Sequence, residues 1–277
     1  MQDIRVPINQ VTAEHVFEAQ TVTNFFKWLQ NHSDPKKKKT AAWIETWFVT
    51  KKDVKWLIPG PGITQKDNNV ATNMLFEIGN RLPSRQDRLT VLLAAPNGIK
   101  GKLFQGNLGV SVATFSEIKE SDLQILKLKD MGMVFTYMDD PKVWKCFCAT
   151  FEGIRKVLAK FDTWYDVERK KEIDAEAKTR KIKAVYEAKS TMAADWSVFM
   201  RHELDAVVAK ALANIEKLTA ARKGKFSKQD EEKWNDVLKK NKALIKLTRT
   251  STNLAPPLPA SISLPIRPPP GPGPSTP

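Results

Sequence analysis

Apolar positions recur along this chain in two registers, and the change between them falls near the middle. Val16, Phe17, Val22, Phe25, Phe26, Trp28 and Leu29 follow near-helical spacing and predict a helix from Thr12 to around Gln30. After the loop Asn31-His-Ser-Asp-Pro-Lys-Lys-Lys-Lys, Thr40 is placed to cap a second helix with Trp43, Ile44, Trp47 and Phe48 on one side. Ile58-Pro-Gly-Pro-Gly breaks the pattern. Asn68 to Leu82 returns to helical spacing through Val70, Met74, Leu75 and Ile78, whereas Leu89 to Ala94 is an apolar run of strand length. Asn97-Gly98 reads as a hairpin turn.

Strands are expected to dominate the next stretch. Leu103 to Phe115 holds Gly106 and Gly109 and alternates Val110, Val112 and Thr114. Met133 to Tyr137 and Val143 to Thr150 lean toward β structure on either side of Asp139-Asp140-Pro141, a turn signal. Between them, Ser121-Asp-Leu-Gln resembles a capping box ahead of Leu123, Ile125, Leu126 and Leu128.

Past Phe151 the pattern turns helical and stays so. Thr163 to Ser190 predicts a polar helix seamed only by Ile173, Ala177, Ala184 and Ala188, with support from the i,i+4 pairs Asp166–Lys170, Asp174–Lys178 and Glu176–Arg180. Met200, Leu204, Val207, Ala211, Ile215 and Leu218 form a burial stripe that Gly224 can terminate. Ser227 then starts a last helix with Asp230, Glu231 and Glu232 in its first turn and Trp234, Val237, Leu238, Leu244 and Ile245 on its apolar face, so residues 192–248 read as an αα-hairpin. From Ser251 the final 27 residues carry ten prolines and almost no charge, the composition of a disordered, polyproline-prone tail. The expected fold is therefore α+β and predominantly α-helical: a mixed body over 1–155, a basic helical region over 156–250, and the tail over 251–277.

Composition narrows the setting. With 277 residues, 42% of them hydrophobic, the chain has material for a sizeable core. Met1-Gln-Asp-Ile-Arg-Val-Pro lacks the regions of a signal peptide, and no run nears the roughly 18 uninterrupted apolar residues of a membrane span, so an intracellular protein, cytoplasmic or nuclear, is expected. Cys146 and Cys148, one residue apart, cannot make a disulfide framework and offer half of a four-ligand zinc site; on a strand both thiols would share one face as small buried groups. His15, His32 and His202 show no ligand spacing.

Two motifs resemble catalytic sites and fail on their neighbours. Tyr137-Met-Asp-Asp140 matches the metal-binding tetrapeptide of reverse transcriptases, but no upstream aspartate follows an apolar strand in the required setting, and Pro141 follows the pair. Leu89 to Leu103 resembles a phosphate-binding loop after a strand, yet Pro96 replaces its first glycine and Leu103 the metal-ligating Ser or Thr. No enzyme and no cofactor are expected.

Charge gives the direction. The formal net charge is +14, and residues 155–249 hold 24 Lys and Arg against 15 Asp and Glu. Candidate phosphate contacts are Lys36, Lys37, Lys38 and Lys39; Arg81, Arg85 and Arg88; Arg169, Lys170 and Lys171; Lys178 with Arg180, Lys181 and Lys183; and Arg222, Lys223 and Lys225. Lys36 to Lys39 also resembles a short nuclear-import signal, and Trp56 is the tryptophan best placed to stack on a base. Size, basicity and a terminal arm make the chain similar, as a class, to viral nucleoproteins and coat proteins. That likeness implies an RNA-binding, self-assembling structural protein of a virion or ribonucleoprotein, present as a homo-oligomer. The alternative is a matrix-like or adaptor protein whose basic face meets anionic membrane. In either case Pro256-Pro-Leu-Pro259 and Pro265-Ile-Arg-Pro-Pro-Pro270 offer the tail to an SH3-like partner.

Overall fold

A computed structural model describes residues 11–50, 68–79, 89–224 and 226–250. The fold is predominantly helical, and among the described residues its only sheet is a two-stranded antiparallel ribbon. Strand β1 (Val11–His15) pairs with β2 (Leu89–Leu93) in the register Val11 to Leu93 and His15 to Leu89. Helices α1 (Gln20–Gln30), α2 (Ala41–Ile44, prolonged by a wide turn over Glu45–Thr50) and α3 (Val70–Gly79) are followed, after β2, by α4 (Ala94–Phe104) and α5 (Val112–Glu117). Four longer helices complete the described residues: α6 (Ser121–Asp139), α7 (Pro141–Arg180), α8 (Met192–Ala221) and α9 (Lys228–Thr250).

The apolar stripe expected on α8 is buried along its length, from Met200 through Leu218. Around it Trp196 meets Phe25 edge-on at 5.1 Å and Phe199 at 5.7 Å, and its indole N–H donates to the Phe151 carbonyl at 3.3 Å. One continuous core draws on residues from Val16 to Ile245. Helix α9 folds back beside α8, as the predicted hairpin requires, and also lies along α6, where the Asn241 amide donates to the Leu128 carbonyl at 2.6 Å. Gly132 is needed there, because any Cβ would collide with Asn241. Lys100, fully buried, donates to the His15 carbonyl at 2.7 Å and pairs with Glu18 at 3.0 Å, which ties α4 to the end of β1.

Several expected elements differ. Thr12 begins no helix: Val11–His15 is strand, and α1 starts at Gln20. The helix expected over Asn68 to Leu82 is seen as Val70–Gly79, its last residues lying outside the described ones. Asn97-Gly98 sits inside α4, with Pro96 in the first turn where a missing N–H costs nothing. The run Leu103 to Phe115 is the end of α4, a turn with Gly106 at φ 83°, and α5, whose cap Ser111 accepts from Thr114 N–H. Ser121 is the first residue of α6 rather than its cap, and its hydroxyl donates to Asp230 at 2.9 Å.

Met133–Tyr137 and Val143–Thr150 are helical as well. Val143, Phe147, Phe151 and Ile154 are buried at i, i+4, i+8 and i+11, and that burial outweighs the local β preference. Asp140-Pro141 is a helix start, with the aspartate accepting from Lys142 and Val143 N–H at 2.9 and 3.1 Å and proline at the first helical position. Cys146 and Cys148 consequently lie about 200° apart around a helix and are half-buried. Trp56 and the tail 251–277 lie outside the described residues.

Candidate nucleic-acid interface

Helix α7 leaves the body after Tyr165. Its buried positions run from Val143 to Tyr165, and beyond that only Ala177 is buried. The projecting part, about 22 Å long, is covered on one side by the extended segment 181–190. Lys181, at φ 55°, ends the helix, and Ile182 N–H closes on the Ala177 carbonyl at 3.0 Å. The chain then runs back along α7 as a strap. Tyr186 hydroxyl donates to Asp174 at 2.7 Å, Arg169 donates to Glu187 at 2.7 and 3.1 Å, and Ser190 N–H donates to Asp166 at 2.8 Å. Met192 and Ala193 N–H donate to Asp162 at 2.8 and 3.0 Å, which starts α8.

The strap explains why the helix predicted through Ser190 stops at Arg180. Of the three expected i,i+4 pairs, only Glu176–Arg180 forms, at 3.0 Å; Asp166 and Asp174 bind the strap instead. Arg169 holds the Glu187 carboxyl below its ordinary range and is itself pushed up by that carboxylate. Burial pushes the Asp162 carboxyl up, with Asp166 adding to the effect, against the hydrogen bonds it accepts. A groove of about 360 Å³ between strap and helix is lined by Tyr165, Val167, Lys170, Ile173, Tyr186 and Lys189.

Cations collect on this arm unequally. Arg169 is committed to Glu187 and Glu172, Lys171 to Glu168 at 2.8 Å and Arg180 to Glu176. Lys170, Lys178, Lys181, Lys183 and Lys189 are exposed and form no ion pair among the described residues, Lys170 lying 5.4 Å from the centre of the Tyr186 ring. The Lys36 to Lys39 loop reaches the root of the same arm. Lys37 pairs with buried Asp195 at 2.9 Å, and Lys39 lies over the Trp43 ring at 4.9 Å, whose indole donates to Tyr165. Lys36 and Lys38 stay exposed and without an ion pair among the described residues.

Arg222 and Lys223 do not join this group. They lie beyond the far end of α8, about 44 Å along the helix from Met192. There the Arg222 guanidinium is held by Glu231 in two hydrogen bonds of 2.9 Å and stacks on Phe226 and Trp234. Arg81, Arg85, Arg88 and Lys225 lie outside the described residues.

One feature escaped the sequence reading, which grouped lysines by runs rather than by helical spacing and, with a strand expected at Val143–Thr150, kept Lys142 apart from the helix that follows. With α7 helical from Pro141, Lys142, Lys156, Lys160, Lys171 and Lys178 advance by 14, 4, 11 and 7 residues, close to whole turns of 3.6. They form an exposed stripe about 54 Å long, off the buried face and running onto the arm; among the described residues only Lys171 of the five forms an ion pair. Tyr186, 54% exposed, is likewise unmarked in the sequence, since in a continuous helix nothing would single it out.

The remaining motifs take other places. Tyr137-Met-Asp-Asp140 spans the joint between α6 and α7, and the Leu89–Leu103 segment is a strand and a helix with no phosphate cradle. Among the described residues no group of three or more His, Cys, Asp or Glu is arranged to hold a metal ion, and no helix is long and apolar enough to cross a membrane. Comparison of the chain with protein-family models, with curated proteins and with solved structures finds no match.

Proposed function

We propose that the chain is a non-enzymatic, sequence-nonspecific nucleic-acid-binding protein, with RNA as the favoured strand, that packages its ligand as repeated copies in the manner of a viral nucleoprotein or coat protein. The observation that carries this reading is the lysine stripe on α7, extended at the arm by Lys170, Lys181, Lys183 and Lys189 and by the exposed ring of Tyr186. Lysines spaced along a rod, most without carboxylate partners, suit a phosphate backbone; a tyrosine among them suits stacking on any base.

The test is a salt titration of binding to homopolymer RNA. Affinity is expected to fall with log salt at a slope of about −0.7 per phosphate contact, and the variant Lys156→Glu/Lys160→Glu/Lys178→Glu is expected to flatten that slope by about 2. A response indifferent to salt overturns the reading.

A second reading, anionic-membrane binding by a matrix-like or adaptor protein, is favoured by Ile182 and Val185, which are 60% and 80% exposed among the lysines of the arm tip. Flotation with acidic vesicles, without capture of RNA, would decide for it.

A further inference from the structure

A cavity opens where the lysine stripe begins, at the corner between α6 and α7 under the ribbon. Its volume is about 650 Å³, within the roughly 300–1,000 Å³ typical of small-ligand sites. Met133, Thr136 and Tyr137 reach it from one face of α6, at i, i+3 and i+4, and Asp140 from the joint that caps α7, while Lys142 and Cys146 reach it from the first turns of α7. Thr90 and Leu92, on one face of β2, close the top. The lining thus combines an aliphatic floor with an aromatic ring, two hydroxyls, a carboxylate and one lysine at the start of the stripe.

Resting on the proposed nucleic-acid function, we infer that this cavity is a nucleobase pocket, which takes one base out of the strand that runs along α7. A base offers a flat π face to Tyr137, as it would to any aromatic side chain, so the pocket is compatible with binding that ignores sequence. Its edge carries donors and acceptors for the Thr90 and Thr136 hydroxyls and for Asp140. That carboxylate caps α7 with Oδ1 alone, and among the described residues Oδ2 takes no hydrogen bond. Lys142 stands where the phosphate of the inserted nucleotide must pass, and from there the stripe leads to the arm. A strand following it for about 54 Å spans on the order of 16 nucleotides at a stacked spacing of about 3.4 Å. Both Tyr137-Met-Asp-Asp140 and Cys146 acquire a role that catalysis does not give them.

Cys146 makes the pocket testable in the unaltered protein. Alkylation of each thiol is followed by site-resolved mass spectrometry, with and without RNA oligonucleotides of about 16 nucleotides, either intact or with every base replaced by an abasic spacer. Burial pushes the Cys148 thiol up, so that site serves as the slow internal reference. The intact oligonucleotide is expected to slow modification of Cys146 at least fivefold, and the abasic one to leave it unchanged even at concentrations that saturate the arm. Tyr137→Ala is expected to weaken RNA binding roughly tenfold with an unaltered salt slope, while Tyr137→Phe retains it. If the oligonucleotide binds with the expected salt dependence but Cys146 reacts at the same rate, the pocket assignment falls and the nucleic-acid reading stands. Protection by the abasic oligonucleotide equal to that by the intact one also overturns it, since backbone alone would then cover the site. No RNA binding at all removes both.

Discussion

Arg169 and Glu187 show how much of the arm hangs on single side chains. The pair, in which two guanidinium N–H groups share one Glu187 oxygen, joins the strap to α7, yet Glu187 is half exposed, so its contribution to global stability is under about 1 kcal/mol. Its effect is local, and it depends on pH. Because Arg169 lowers the Glu187 value below the ordinary 4.5, the stabilisation is present above that value and is lost as pH falls through the folded one. Asp162, at the other end of the strap, has a raised value, so its contribution is present in acid and declines as pH rises through its folded value. Amide exchange between pH 3 and 5 is therefore expected to accelerate around 183–188 well before 190–193, relative to pH 6. Uniform loosening of the whole strap would contradict this account. In the sequence Glu187 was one acid among many; its partner is 18 positions away, beyond any helical pairing rule.

The long helices were legible at this level of detail only in part. The α8 stripe, the α9 face and the Ser227 start could be read because burial there is periodic and local, and Asp230 N–H does bond the Ser227 hydroxyl at 3.1 Å. The first half of α7 misled because Trp144, Cys146 and Cys148 interleave with Val143, Phe147 and Phe151 and imitate a two-residue period. The end of α7 misled for a different reason: an extended return segment is chosen by hydrogen bonds to a helix already present, not by its own composition. Lys181 marks the cost. A non-glycine residue at φ 55° gives up about 1 kcal/mol, so Lys181→Gly is expected to stabilise the arm by about that amount. Thermal denaturation and exchange in the last turn of α7 measure it, and a fall in stability would show that the lysine stem does more than end a helix. Of the candidate cations, those of the arm and the 36–39 loop lie near one another in the fold, but the sequence could not show that Arg222 is spent on Glu231.

For the molecule as a whole, the chain carries a net charge of +14, and among the described residues some cations are consumed by internal carboxylates while others, those along α7 among them, face solvent. The proposed packaging role asks that many copies lie along one strand, each covering a stretch comparable to the 54 Å stripe. Electron micrographs of the protein mixed with long homopolymer RNA are accordingly expected to show strings or filaments with closely spaced particles, absent without RNA. Isolated single particles on otherwise bare strands would count against assembly. The root of the arm adds something practical. Trp47 lies 5.5 Å from Trp164 and 4.6 Å from Tyr165, while Trp43 lies 5.4 Å from that tyrosine, so three indoles surround the point where α7 leaves the body. On the proposed function, a strand that tilts the outer rod is expected to disturb these rings first, so their ultraviolet emission should report strand capture without an attached dye.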